Sequence, residues 1–181
     1  MADSDPFEAF VREYQDMVFA TAVRLLANPA EAEDIAQTVF LRAFERFSSI
    51  ATSPTAAGWL KTVTTNLCLN HLARYRARWQ FFSEMERPGE DGRYEATLAA
   101  PPASDAFEQE SRQRRIERAV QELPDHQRVP LVLFHFEQQS YQEIASTLRI
   151  SVGKVKTDIH RGREALRNYM TGQRFEVGGQ K

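Results

Sequence analysis

The sequence predicts an all-α protein of two small helical domains joined by a flexible linker, the C-terminal one containing a helix-turn-helix. Three observations carry this. Apolar residues recur every three or four positions along most of the chain, the spacing of one helix face. That rhythm breaks over residues 86–105, where ERPGEDGRYEATLAAPPASD gathers prolines and glycines and loses apolar periodicity. Near the C-terminal end, a capping signature opens a short helix, and a tight connection leads into a longer one.

The elements follow in order. Phe7, Phe10, Val11, Tyr14, Met17, Val18 and Leu25 share one stripe. Asn28-Pro29-Ala30-Glu31 ends that helix and opens the next: Asn caps, Pro suits the first helical position, and Glu three residues on completes the box. Ile35, Val39, Phe40, Ala43, Phe44 and Phe47 form the second stripe, and Ser48 to Gly58 reads as a small polar loop around Pro54. A third helix runs from about Gly58 into the low eighties, with Leu60, Thr64, Leu67, Cys68, His71 and Tyr75 on its core side. His71 and Cys68 are therefore expected to pack rather than to react.

Beyond the linker, Ser104 is placed to cap a helix carrying Phe107, Ile116, Val120 and Leu123, with Pro124-Asp125 as punctuation. In the following HQRVPLVLFHF, Pro130 removes a backbone donor, which costs about 3 kcal/mol inside a helix; a kink or a late start is expected. The expected domains are 1–85 and 106–170, with residues 171–181 as a tail.

Composition narrows the function. A chain of 181 residues, 42% hydrophobic and 27% charged, suits soluble globular domains. Apolar runs are too short to span a membrane, and the acidic MADSDPFEAF lacks the basic and apolar regions of a signal peptide. A single cysteine allows no internal disulfide and no metal cluster, which points to the cytoplasm. The four histidines, His71, His126, His135 and His160, are scattered. There is no HExxH, glycine-rich phosphate loop, nucleophile elbow or Glu-x-x-His, so neither an enzyme nor a cofactor is expected. The net charge of −2 hides an asymmetry: residues 1–50 hold nine acids and four bases, residues 126–181 nine bases and five acids. Such a map suits a protein partner at one end and DNA at the other.

Ser140-Tyr141-Gln142-Glu143 is the capping box of the short helix, whose buried face is Tyr141, Ile144, Ala145 and Leu148. Arg149-Ile150-Ser151 connects it to a helix with Val152, Val155, Ile159, Leu166 and Tyr169 on its apolar side. Lys154, Lys156, Thr157, His160, Arg161 and Arg163 are left outward or flanking, where cations neutralise phosphates and the first turns reach base edges. A basic solvated helix would show the same pattern. In the third helix, Trp59, Asn66 and Asn70 fall within about 40° on an ideal wheel. An aromatic ring aligned with amides suits single-stranded DNA, by stacking and by bonding to exposed base edges; a core tryptophan beside solvated asparagines is the plainer alternative. Arg74, Arg76 and Arg78 extend this helix.

Three stretches in this order resemble the extracytoplasmic-function sigma factors. NPAEAEDIAQTVFLRAFERF is similar to their polymerase-binding helix, GWLKTVTTNLCLNHLARYRAR to their −10-reading helix, and LPDHQRVPLVLFHFEQQSYQEIASTLRISVGKVKTDIHRGREALR to their fourth domain. The resemblance covers roughly residues 7–80 and 107–170. It implies a sigma factor that binds core RNA polymerase, recognises −10 and −35 elements and promotes melting. It assigns Glu33, Asp34, Gln37 and Phe40 to polymerase, and Trp59, Asn66, Asn70, Arg74 and Arg78 to −10 DNA. The Ser48–Ala57 loop would receive a flipped base, and the basic face of the last helix would read the −35 duplex. Promoter DNA, core polymerase and an anti-sigma factor are the implied partners, with no membrane insertion. Two residues depart from the family: Thr38 replaces an expected acid, and Asp158 stands where a basic or small polar residue is usual and would face a base. A stand-alone helix-turn-helix regulator is the main competitor. It leaves the acidic helix and the Trp59, Asn66 and Asn70 face without a purpose.

Overall fold

The structure, a computed structural model, describes residues 5–83 and 105–171, with side chains described for 5–74 and 112–171. The first half holds α1 (Pro6–Leu26), α2 (Pro29–Glu45), the single turn α3 (Phe47–Ile50) and α4 (Ala56–Ser83). The second half holds α5 (Asp105–Gln121), α6 (Asp125–His135), α7 (Tyr141–Leu148) and α8 (Val152–Thr171). Among the described residues there is no strand.

Helix α1 starts where the Asp5 carboxylate accepts from the Phe7 N–H at 3.1 Å, with Pro6 in the first turn. It ends at Ala27, whose φ of 53° is left-handed and turns the chain into α2. The Asn28 side chain then accepts from the N–H groups of Ala30 and Glu31. Glu31 does not return the bond to the Asn28 N–H that would complete the expected box: it turns to His71, 3.2 Å from its Nε2. Packing against α2 and α4 places Val18, Ala22, Leu25, Val39, Leu60 and Cys68 at no more than 1% exposure. Each large member of that set contributes about 1.5–3 kcal/mol by leaving water. Phe7, Phe10 and Phe47 close one end edge to face, at 5.2 and 5.6 Å from the Phe47 ring.

The second half is organised by α6 and α8. Val129, Leu131, Val132 and Leu133 of α6 are buried, as are Val155, Ile159 and Gly162 of α8. The helices approach closely at Gly162, where an added Cβ would lie 2.8 Å from Leu131 Cδ1 and 3.4 Å from the Gln127 carbonyl. Ser140 and Glu143 form the expected capping box: Glu143 N–H donates to Ser140 Oγ, and Ser140 N–H donates to the Glu143 carboxylate at 2.7 Å.

Several expectations need correction. The segment read as a loop from Ser48 contains α3, and α4 begins at Ala56, two residues early. Pro130 does not delay α6, which starts at Asp125; the proline sits inside the helix with its ring buried. Phe44, placed on the core stripe, is 61% exposed because Ala43 and Val39 take the inward positions of α2. Tyr169 and Ile116 likewise stay partly outside, at 45% and 36%. Asp105, taken as the last linker residue, begins α5. Residues 86–104, including the Ser104 cap, and the tail beyond Thr171 lie outside the described residues, as do the side chains of Tyr75 and Phe107.

Two predictions follow from these contacts. Gly162→Val should destabilise the protein by about 1–3 kcal/mol, because overpacking must displace the buried Leu131. Thermal melting that leaves the midpoint unchanged would show a looser α6–α8 contact. The cap gives a pH dependence. The bonds from Ser140 hold the Glu143 carboxyl below its ordinary value. Its contribution is therefore full above the unfolded carboxylate range and disappears as pH falls through the depressed folded value. The stability gap between the native chain and Glu143→Ala, read by urea unfolding, should narrow on acidification; a gap that persists at acid pH would rule out the charged cap.

Candidate nucleic-acid interface

Three outward faces remain once the core has claimed its side chains. The first is a groove of about 580 Å³ between α1 and α2. Val11, Phe19, Ala36 and Phe40 give it an apolar lining, and Gln15, Asp16, Glu33 and Gln37 make it polar and acidic. Glu33, Asp34 and Gln37 are exposed, whereas Phe40 is half-buried and packs against the core. Thr38, where an acid was expected, turns inward along its own helix and donates to the Asp34 carbonyl at 2.9 Å. Leu41 is 68% exposed and continues this side of α2 towards Phe44. Sequence periodicity missed both as surface residues; exposed large apolar groups beside an acidic groove are the mark of a protein-binding patch.

The second face lies on α4. Asn66 and Asn70 are exposed, and Trp59 is half-buried with its ring against the core. Trp59 therefore packs, and it stays partly accessible. Leu60, Thr64 and Cys68 face inward, where Thr64 Oγ1 donates to the Leu60 carbonyl at 2.7 Å. Burial, and secondarily the charge of Glu137, push the Cys68 thiol up to about 12, so the thiolate is negligible at neutral pH. Arg74 is exposed, and the side chains of Arg76 and Arg78 lie outside the described residues. In the segment leading into α4, the Ser53 and Thr55 hydroxyls bond to each other at 2.8 Å.

The third face is built by α7 and α8. Arg149 takes a left-handed φ of 56° to end α7, and Ser151 Oγ accepts from the Lys154 N–H at 3.2 Å to begin α8. With Val155, Asp158, Ile159 and Gly162 buried, an ideal wheel points Gly153, Thr157 and His160 directly outward. Lys154 and Arg161 then stand on one flank, Lys156 and Arg163 on the other. Several of these are tethered. Arg163 donates to His135 Nε2 at 3.0 Å and lies 5.4 Å from the Phe134 ring centroid, Lys156 is 5.7 Å from that of Tyr141, and His160 is 3.4 Å from Glu164. Burial, with a smaller effect from Arg163, lowers the His135 pKa and keeps it a neutral acceptor. Arg161 is exposed and has no ion-pair partner among the described residues.

Asp158 corrects an expectation. Only 2% exposed, it faces the core side of α8 rather than a base, and its carboxylate is held by Lys154 Nζ at 2.9 and 3.1 Å. A buried carboxylate needs such a partner. Lys154 is therefore bound to a structural task as well as being a candidate DNA contact, a coupling that the i, i+4 spacing could have revealed. Among the described residues, no cluster of histidine, cysteine and carboxylates could hold a metal.

Both halves of the chain are similar to known proteins. Residues 10–78 match the family model for sigma-70 region 2, and residues 113–166 that for sigma-70 region 4. The chain is 34% identical over 171 residues to the ECF RNA polymerase sigma factor SigW of Bacillus subtilis, covering 93% of this chain and 90% of that protein. It is 36% identical over 172 residues to the ECF RNA polymerase sigma factor SigE of Mycolicibacterium smegmatis, covering 94% of this chain and 64% of that longer protein. Among solved structures, the sigma factor RpoE of Bartonella quintana, crystallised with the anti-sigma factor NepR, is similar in fold. Its TM-score is 0.51 at 20% identity, over 93% of this chain and 98% of that one. With three stretches in family order, both regions matched and relatives aligned along nearly the whole chain, this protein belongs to the extracytoplasmic-function family of RNA polymerase sigma factors.

Proposed function

We propose that the chain directs core RNA polymerase to promoters through the three faces separately: α2 docks on polymerase, α4 captures unpaired −10 bases, and α8 anchors the −35 duplex. The proposed division is 1–85 for docking and the −10 element, 86–104 as connector and 105–170 for the −35 element. Glu33, Asp34, Gln37 and Phe40 carry the docking, extended by Leu41 and Phe44, since an acidic rim around an apolar groove complements a basic helical partner. Thr157 and the first turns of α8 face base edges, while Arg161, Lys156, His160, Lys154 and Arg163 meet the flanking phosphates. Trp59, Asn66 and Asn70 take the −10 bases, with Arg74 and Arg78 along the neighbouring backbone. The protein supplies binding energy and no catalysis; bond formation belongs to polymerase. No cofactor is required. We place it in the cytoplasm, with an anti-sigma factor as a further partner, as RpoE of Bartonella quintana is in complex with the anti-sigma factor NepR.

The observation that carries this reading is the exposed Asn66 and Asn70 beside Trp59, because a regulator that reads closed duplex has no use for it. Stacking and amide contacts to a base that has left the duplex are worth roughly 1–3 kcal/mol per base. The Asn66→Ala, Asn70→Ala protein should therefore still join polymerase and still find promoter duplex, yet open it about tenfold or more less well. Permanganate reactivity of unpaired thymines reads this, and a template with a pre-melted −10 bubble should recover part of the loss. Normal opening by the double variant would remove α4 from base capture.

A further inference from the structure

The cations of α8 are not all held alike, and the difference lies in the charge of what holds them. On one flank, Lys154 is paired with the buried Asp158 carboxylate at 2.9 and 3.1 Å, which offsets its charge. At the crest, His160 stands beside Glu164. On the other flank the partners are neutral. Lys156 lies 5.7 Å from the Tyr141 ring centroid, and Arg163 lies 5.4 Å from that of Phe134. Those two rings, from α6 and α7, stack on each other with centroids 4.8 Å apart and planes within 9°. Arg163 Nε also donates to His135 Nε2 at 3.0 Å, and the imidazole stands edge-on to the Phe134 ring at 86°. An arginine nitrogen can only donate, so this imidazole carries its proton on Nδ1 and is uncharged.

We infer that His135 is a positioning residue for DNA binding: with Phe134 it holds the Arg163 guanidinium ready for a backbone phosphate without cancelling its charge. This rests on the −35 role proposed above for α8. His135 itself needs no contact with DNA. Its bond occupies the Nε–H of Arg163 and leaves both Nη groups, the donors that grip a phosphate in a bidentate fork. A carboxylate in place of the imidazole would hold the side chain as firmly, yet it would offset the cation and repel the phosphate. An arginine with nothing to hold it would keep its charge but lose more rotamer freedom on binding. A neutral acceptor avoids both costs. Tyr141 supports Lys156 on the same flank, so this side of α8 presents two cations whose partners carry no charge. The opposite flank presents Arg161 and a Lys154 already paired with Asp158. The Lys156 and Arg163 side is therefore the one built to hold the duplex backbone.

The probe is a labelled duplex of the strongest promoter recovered when core polymerase and this chain transcribe a random library. Its binding by the reconstituted holoenzyme is followed by anisotropy from about 50 to 200 mM salt. Arg163→Ala should weaken binding and lower the salt slope by about one. His135→Phe, which keeps a ring but offers no acceptor, should weaken binding about two- to tenfold. His135→Gln, whose Oε1 can take the same N–H, should bind within about twofold of the native chain. In the Arg163→Ala background the loss from His135→Phe should vanish, because no guanidinium is left to position. The bond itself is read in the full chain without polymerase. The Arg163 Nε–H resonance, identified by its absence from the Arg163→Ala protein, should shift in His135→Phe and return towards its native position in His135→Gln. Unchanged binding by Arg163→Ala or by His135→Phe, no recovery with His135→Gln, an undiminished loss in the Arg163→Ala background, or an unshifted resonance would each overturn the positioning role. A native holoenzyme that binds no promoter would instead overturn the −35 reading and the DNA role of His135 with it, while the resonance would still show whether His135 holds Arg163.

Discussion

Burial of the last turns of α1 on all sides is the constraint on which the rest of the structure depends. Thr21, Ala22, Val23, Leu25 and Leu26 are all at 9% exposure or less, which one core on one side of a helix cannot achieve. Helices α2 and α4 cover one part of that surface, and α5 and α6 come against another. Arg24, the single charge in this stretch, has to be satisfied where it emerges, and Glu117 and Phe136 do so together. One helix thus organises the first half and receives the second. The connection between the halves uses charged groups on an apolar base.

The functional faces follow from what that packing leaves over. On α4, inward Leu60, Thr64 and Cys68 force Asn66 and Asn70 outward in line with Trp59. On α8, the buried quartet Val155, Asp158, Ile159 and Gly162 sets Thr157 and His160 at the crest and cations on both flanks. The close approach at Gly162 brings α8 down onto α6, and the neutral His135 and the Phe134 ring then hold Arg163 in place. Side chains fixed before DNA arrives lose less entropy on binding. Arg161 is exposed and has no such tether among the described residues.

Much of this was legible in the chain itself, because each helix buries one stripe and periodicity reports stripes. The cap at Ser140, the turn at Arg149 and the exposed Asn66 and Asn70 all lie where the residues placed them. Asp158 was misread because a wheel drawn from apolar residues alone puts every polar group outside, although a paired carboxylate can be buried. Phe44 was misread for the opposite reason: periodicity cannot tell a core phenylalanine from one exposed for a partner. The contact between the halves was invisible, since its residues are far apart in sequence and Arg24, Lys61 and Glu137 look like solvated charges. The run TAVRLL was the one available signal, too apolar around its circumference for a helix with a single partner.

In the proposed function, the chain gives core polymerase its choice of start site by reading two promoter elements at once. Reconstituted transcription of a random promoter library, with core polymerase and this chain, tests it most directly. Sequencing of the 5′ ends should show starts absent with core enzyme alone, preceded by two shared motifs centred near −10 and −35 with little variation in the distance between them. Transcripts indistinguishable from those of core enzyme alone, or starts that share only one motif, would contradict the account.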